Sequence, residues 1–274
     1  AQRALHPEEV ERELRATDAI LGAPEEVERF VLEACQRLGI PLERDRRNPK
    51  VYHLNLSEEV RAALPPLVRA ALPQEKRRQK PRTRWTISFA SPTPENAEYV
   101  GRNHRFVVAL AQHLFESALS GKEGPASRCG AIRTDAVSRL TILLLLRARY
   151  LLELPEKDPI LAEEVLVTGF VGGEESLLPR EKALGLLGSA KPVGNIPEAE
   201  KRELVEFVLE RVKPWVETEQ SPLRSLLEER SVEIAEAHRR LRRTLGERVR
   251  GLAVQPQWPP DVLGILVLQP AVGR

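Results

Sequence analysis

Residues 139–154 read RLTILLLLRARYLLEL, from Arg139 to Leu154, the most apolar window in the chain. The fold turns on whether this stretch is a membrane span, a helix or a strand. A transmembrane helix needs roughly 20 consecutive apolar residues, but this run ends at Leu146 and is followed by Arg147 and Arg149. Wound at about 100° per residue, Arg139, Arg147, Arg149 and Glu153 spread over much of the circumference and leave no clean apolar face. A period of two fits. Leu140, Ile142, Leu144, Leu146, Ala148, Tyr150, Leu152 and Leu154 are all apolar, whereas the other parity starts apolar and then admits Arg147, Arg149 and Glu153. The pattern predicts a long central strand with one face fully buried and a second that becomes wetter towards its end.

Other strands follow from the same alternation. CGAIRT (Cys129–Thr134) precedes the long strand, and AEEVLVTGF (Ala162–Phe170) follows it. WTISFA (Trp85–Ala90) alternates similarly. DVLGILVLQP (Asp261–Pro270) is apolar on both parities, as for a strand covered on both faces. These five segments predict one mixed or antiparallel sheet. Helices are expected to cover it: His104–Leu119 with Asn103 as N-cap and a stripe of Val107, Leu110, Ala111, Leu114 and Ala118; a segment near 197–216 carrying Leu204, Phe207, Val208 and Val212; and a long charged helix over 223–250. The stripe of that last helix is Leu227, Ile234, His238, Leu241, Leu245 and Val249, with Arg239, Arg240, Arg243 and Arg250 opposite.

The N-terminal part has a different texture. Helices over 7–20 and 24–38 start near prolines and stop at Gly22 and Gly39. VYHLNL (Val51–Leu56) reads as a short strand, Ser57 as the cap of a brief helix, and Pro65-Pro66 as its break. The expected organisation is α+β: a small, mainly helical domain over 1–75, a basic linker over 76–84, and a sheet-and-helix domain over 85–274.

Bulk composition excludes several classes. The chain has 274 residues with a formal net charge of +2, so affinity for an anionic partner must come from local patches. Cys35 and Cys129 lie far apart with no companion at metal-ligand spacing, which fits a reduced, cytoplasmic protein. The first residues lack the charged leader and apolar core of a signal peptide, and the absence of Met, even at position 1, reads as a fragment of a longer polypeptide.

Motifs for chemistry are missing. GKEGP (Gly121–Pro125) lacks the upstream glycine and the hydroxyl residue of a phosphate-binding loop, and no zinc set or nucleophile elbow is present. Asp158, Glu163 and Lys157 are the nearest approach to a nuclease set. However, Glu163 and Glu164 are adjacent in a strand and point to opposite faces. The expectation is a chain with no catalytic residues, no metal and no cofactor of its own. Three features invite a binding reading. His104 opens a helix, where a phosphate contact is possible but capping or packing is the ordinary use. Six of the nine residues from Lys76 to Arg84 are basic, with Lys76, Arg77 and Arg78 at their head, and they suit either nucleic-acid backbone or a solvated linker. The face with Arg239, Arg240 and Arg243 could lie along a duplex. Aromatic residues make up only 4% and do not interleave with these runs, which argues against a single-strand stacking platform.

The order of these elements resembles the C-terminal accessory region of bacterial Swi/Snf-type, superfamily-two helicases, of the RapA-like, RNA-polymerase-associated kind. The segments that carry the resemblance are GRNHRFVVALAQHLFESALSG, SRCGAIRTDAVSRLTILLLLRARYLLEL, the long charged helix and PPDVLGILVLQP, from about Trp85 onward. One departure is Arg105, which stands where that family usually places a proline after the histidine. The resemblance implies a parent that uses ATP and Mg to move on nucleic acid, with this chain as a regulatory or docking module. It also implies nucleic acid (DNA rather than RNA), RNA polymerase or the parent's motor lobes as partners. The other readings are a protein-interaction module that docks RNA polymerase or a defence-complex partner through a sheet edge or helix face, and a divergent nuclease built on the weak set of Asp158, Glu163 and Lys157.

Overall fold

The computed structural model describes residues 24–73, 83–120, 126–154, 158–244 and 251–271, without the side chains at 241, 243 and 244. It is α+β, with two four-stranded mixed sheets among the described residues. The chain divides into two compact units, Ala1–Ser127 and Arg128–Arg274.

In the first unit the element order is α1 (Pro24–Arg37), β1 (Leu42–Arg44), β2 (Val51–Asn55), α2 (Glu58–Ala63), α3 (Pro66–Ala71), β3 (Arg84–Ser88), β4 (Glu98–Tyr99) and α4 (Arg105–Leu119). Gly39 sits at φ +66 just past α1, the left-handed turn that ends a helix at glycine. Ser57 Oγ accepts the Val60 N–H at 3.3 Å and caps α2. The sheet runs β1-β2-β3-β4, with β3 antiparallel to β2 and parallel to β4. Its core joins Val31 and Cys35 of α1, Leu54, Trp85 and Ile87 of the sheet, and Phe106 and Leu110 of α4. Burial pushes the Cys35 thiol up to about 12, so it stays protonated as a core residue.

Two expectations change here. Trp85–Ala90 does not join the large sheet: β3 pairs with Val51–Asn55, so the first unit runs on to Ser127 instead of stopping at 75. The physical reason is that the buried side chains of this stretch, Trp85, Ile87 and Phe89, complete the core built with Leu54, Phe106 and Leu110 of the first unit. The basic linker expected at 76–84 and the helix expected at 7–20 fall largely or wholly outside the described residues. The N-cap of α4 is His104, not Asn103.

The second unit contains β5 (Cys129–Thr134), β6 (Thr141–Glu153), β7 (Ile160–Val171), α5 (Arg180–Ser189), α6 (Glu198–Glu217), α7 (Pro222–Thr244) and β8 (Ala253–Pro270). The strand order is β5-β8-β6-β7, with β5 parallel to β8 and the other two pairs antiparallel. RLTILLLLRARYLLEL is therefore a central strand. Every even-numbered residue from Ile142 to Leu152 is at most 3% exposed, whereas Arg147, Arg149 and Leu151 are half-buried. No helix among the described residues is long and apolar enough to cross a membrane.

The even face packs against α6 and α7 through Val208, Val212, Leu223 and Leu227. Phe207, expected in the stripe of α6, is 57% exposed instead. Among the described residues the odd face is covered only at one end, where α5 sets Ala183 against Leu143, Val167 and Leu268. Strand β8 begins eight residues earlier than its apolar run suggests and includes Pro256, Pro259 and Pro260. Proline is tolerated there because β5 joins β8 only from Ile265 onward, leaving one side of the earlier stretch without a ladder to break. Register shifts opposite Leu145/Leu146 and Arg147/Arg149 absorb the extra residues of β8.

Candidate functional site

Past the end of α5 the odd face of the large sheet carries Arg147 and Arg149 of β6, Glu163 of β7 and Asp261 of β8. Residues two apart on a strand share a face, and the register sets Arg147 opposite Asp261 and Arg149 opposite Glu163. One carboxylate oxygen, Asp261 Oδ2, accepts from Arg147 Nε at 2.9 Å, Arg147 Nη2 at 2.6 Å and Arg149 Nη2 at 3.2 Å. Asp261 raises the Arg147 pKa, first by these hydrogen bonds and then by its charge. Among the described residues Arg149 Nε has no hydrogen-bond partner. The arrangement fixes two guanidinium groups on a half-open face, but their main acceptor is already in place.

The opposite face holds a second charged group. Arg230 of α7 grips Glu164 of β7 in a two-pronged pair, Nε–Oε1 at 2.9 Å and Nη2–Oε2 at 3.0 Å, and also donates to Glu233. This geometry favours a planar guanidinium over any other cation. Both partners of the main pair are largely sequestered, at 19% and 22% side-chain exposure. Beneath it the Tyr150 ring is fully buried. Burial, and after it the nearby Glu164 carboxylate, pushes the Tyr150 hydroxyl well above its usual pKa and keeps it neutral. A cavity of about 590 Å³ opens beside this group between Leu177–Arg180 and α7. It is lined by both signs of charge, with Arg180 and Arg230 against Glu175, Glu229 and Glu233.

Two of the residues expected to meet nucleic acid, Arg239 and Arg240, contact the chain itself. Arg239 Nη2 donates to Leu252 O at 3.3 Å, tying α7 to the start of β8. Arg240 lies 3.8 Å from Glu236, one turn back on the same helix. Lys76, Arg77 and Arg78 and the side chain of Arg243 lie outside the described residues. His104 caps α4: its Nδ1 accepts the Phe106 N–H at 3.2 Å, and Nε2 lies 3.2 Å from Glu98 Oε1. With Nδ1 as acceptor, Nε2 carries the proton towards Glu98. Trp85 Nε1 donates to the other oxygen of Glu98 at 2.8 Å. The ordinary reading of His104 thus describes what it does.

Of the acidic set, Glu163 and Glu164 do face opposite sides of the sheet, and Lys157 is outside the described residues. No group of three or more metal-ligating side chains is gathered among the described residues. Sequence reasoning missed Asp261, Arg230 and Glu164. The signal available was weak: a lone acid in an apolar strand, and an arginine within an evenly charged helix.

Residues 118–274 match the model of a domain family of unknown function, DUF8741, and this span takes in the whole second unit, from Arg128 onward. No curated protein matches the sequence. By the family match, which covers more than half of its length, the chain belongs to the DUF8741 family.

Proposed function

We propose that this chain is a non-catalytic, cytoplasmic accessory region of an ATP-dependent Swi/Snf-type helicase, and that its second unit works by docking a protein. The partner is the parent's motor lobes or RNA polymerase, and ATP and Mg would belong to the motor. The observation that carries this reading is the contrast between charges and apolar groups in the second unit. Arg147 and Arg149 of β6 and Arg230 and Arg239 of α7 are held by Asp261, Glu164 and the Leu252 carbonyl, and Arg240 lies 3.8 Å from Glu236. Meanwhile Ile160, Leu161 and Val165 of β7 are each more than half exposed. Residues 128–274 also contain 22 basic and 22 acidic residues, so this unit lacks the net positive field that draws a polyanion. The segment resemblance supplies the parent class.

A second reading rests on the basic run at Lys76, Arg77 and Arg78, which suits sequence-independent contact with a DNA backbone. One experiment separates the two. The full chain is titrated with a DNA duplex, and in parallel with RNA polymerase core and with Swi/Snf-type motor lobes, at about 50 and about 200 mM salt. Protein docking predicts complex formation with one of the proteins that persists at the higher salt. Duplex binding that collapses over this range, with no protein complex, would replace docking with the backbone reading.

A further inference from the structure

Strand β7 is an edge strand. It pairs with β6 on one side and has no partner strand along most of the other among the described residues. Two hydrogen bonds reveal which backbone groups face the open side. Gly172 N–H donates to Leu140 O at 2.7 Å, continuing the β6 ladder, and Leu178 N–H donates to Gly169 O at 2.7 Å from the open side. In an antiparallel strand the N–H and C=O of one residue point the same way, opposite to those of its neighbours. The β6–β7 register is unbroken from Ile160 to Val171. Even-numbered residues therefore bond β6, and Leu161, Glu163, Val165 and Val167 turn their N–H and C=O outward.

The chain covers the far end of this edge itself, where Leu177 bridges Phe170 in antiparallel sense. The near end stays open and apolar: Ile160, Leu161 and Val165 are 54%, 56% and 54% exposed. Natural edge strands are usually guarded by charged side chains, above all lysine, by proline or by a bulge; Ile160–Val167 has no lysine, proline or bulge, and its charges are Glu163 and Glu164. The charges between 158 and 171 are all acidic, namely Asp158, Glu163 and Glu164. Arg230 neutralises Glu164 on one face. On the other face Glu163 lies across from Arg149, which donates to Asp261.

We infer that the open edge of β7, from Leu161 to Val167, receives an extended basic and apolar segment of a protein partner as an added antiparallel strand. This deepens the docking reading above and rests on it. Backbone pairing supplies the affinity, and alternate side chains supply the selection: a cation opposite Glu163, and apolar groups beside Leu161 and Val165. A second copy of the chain fits this edge less well. A two-fold axis that used all four outward residues would pass at position 164, setting Glu164 against its own copy and Glu163 against Val165. No carboxylate would gain a cation in that arrangement.

The test uses the full chain and two capped synthetic peptides of about nine residues, with either lysine or glutamate at the centre, valine two residues to each side of it on the same face, and threonine between. Binding is read by fluorescence anisotropy. The lysine peptide should bind at least about tenfold more tightly than the glutamate peptide, and Glu163→Lys should reverse that preference. Val165→Pro should weaken the lysine peptide about tenfold or more. Because the Val165 N–H points outward, this proline removes no β6–β7 hydrogen bond, and an unchanged thermal melt verifies the fold. Equal binding of the two peptides, or binding indifferent to Val165→Pro, would overturn the inference. So would a dimer abolished by Val165→Pro, which assigns the edge to a second copy. If neither peptide binds while RNA polymerase or the motor lobes still do, the edge assignment fails and docking stands; if none binds, both fail.

Discussion

Arg230 is the residue with most depending on it in the second unit, because it answers Glu164 and Glu233 together over the buried Tyr150 ring. Removing it strands a half-buried carboxylate. Arg230→Ala should therefore destabilise the unit by about 1–3 kcal/mol, less than a fully buried pair would cost because both partners keep some solvent. Urea unfolding measures this, and Arg230→Ala combined with Glu164→Gln should recover part of the loss. In the first unit Asp45 lies 2.9 Å from His53 Nε2 and accepts the Arg47 and Asn48 N–H groups at 2.8 Å each. The His53 bond first, then those N–H groups, hold its carboxyl down from 3.8 to about 2. A folded pKa below the unfolded one gives stability that is complete above about 3.8 and is lost as pH falls through about 2. Melting temperatures followed from pH 5 to about 2 should thus fall less steeply in Asp45→Asn than in the parent chain.

At the scale of elements, β6 organises the second unit, and its packing makes definite demands. Leu144 is fully buried between the sheet and its helices, so Leu144→Ala should cost about 2–5 kcal/mol. Gly264 is required for a different reason. A Cβ there would lie 2.9 Å from Arg128 O, where the chain enters β5 and Arg128 O accepts the Ile265 N–H. Gly264→Ala should loosen the β5–β8 pairing, seen as faster amide exchange at Ile265 and a lower unfolding midpoint. The two parities of β6 were legible in the residues because burial on a strand follows a period of two, and Arg147 and Arg149 marked the wetter half. Helix α5 was not legible. Its sequence, REKALGLLGS, has two glycines and no clear apolar stripe, and it is stabilised by the sheet beneath it at Ala183. The proline-bearing start of β8 was hidden for a related cause, since whether a proline is tolerated depends on which neighbouring strand stops short.

For the whole molecule, two cores imply two cooperative units. Leu54 is fully buried in the first core and Leu144 in the second. Calorimetry of Leu54→Ala and Leu144→Ala should show each substitution lowering a different transition. The division at Ser127/Arg128 escaped the sequence because Trp85–Ala90 alternates as well as any strand of the large sheet. Alternation identifies a strand but not the sheet it joins. The candidate site was read only in outline: Arg147 and Arg149 could be singled out, but Asp261, Glu164 and Arg230 come from elements distant in sequence. Whether β7 offers an open edge for docking is read from residue-resolved amide hydrogen exchange on the full chain. An open edge gives alternation, with slow exchange at Ala162, Glu164 and Leu166 and fast exchange at Leu161, Glu163 and Val165. Uniformly slow exchange along Leu161–Leu166 would contradict it, because the edge would then already be occupied.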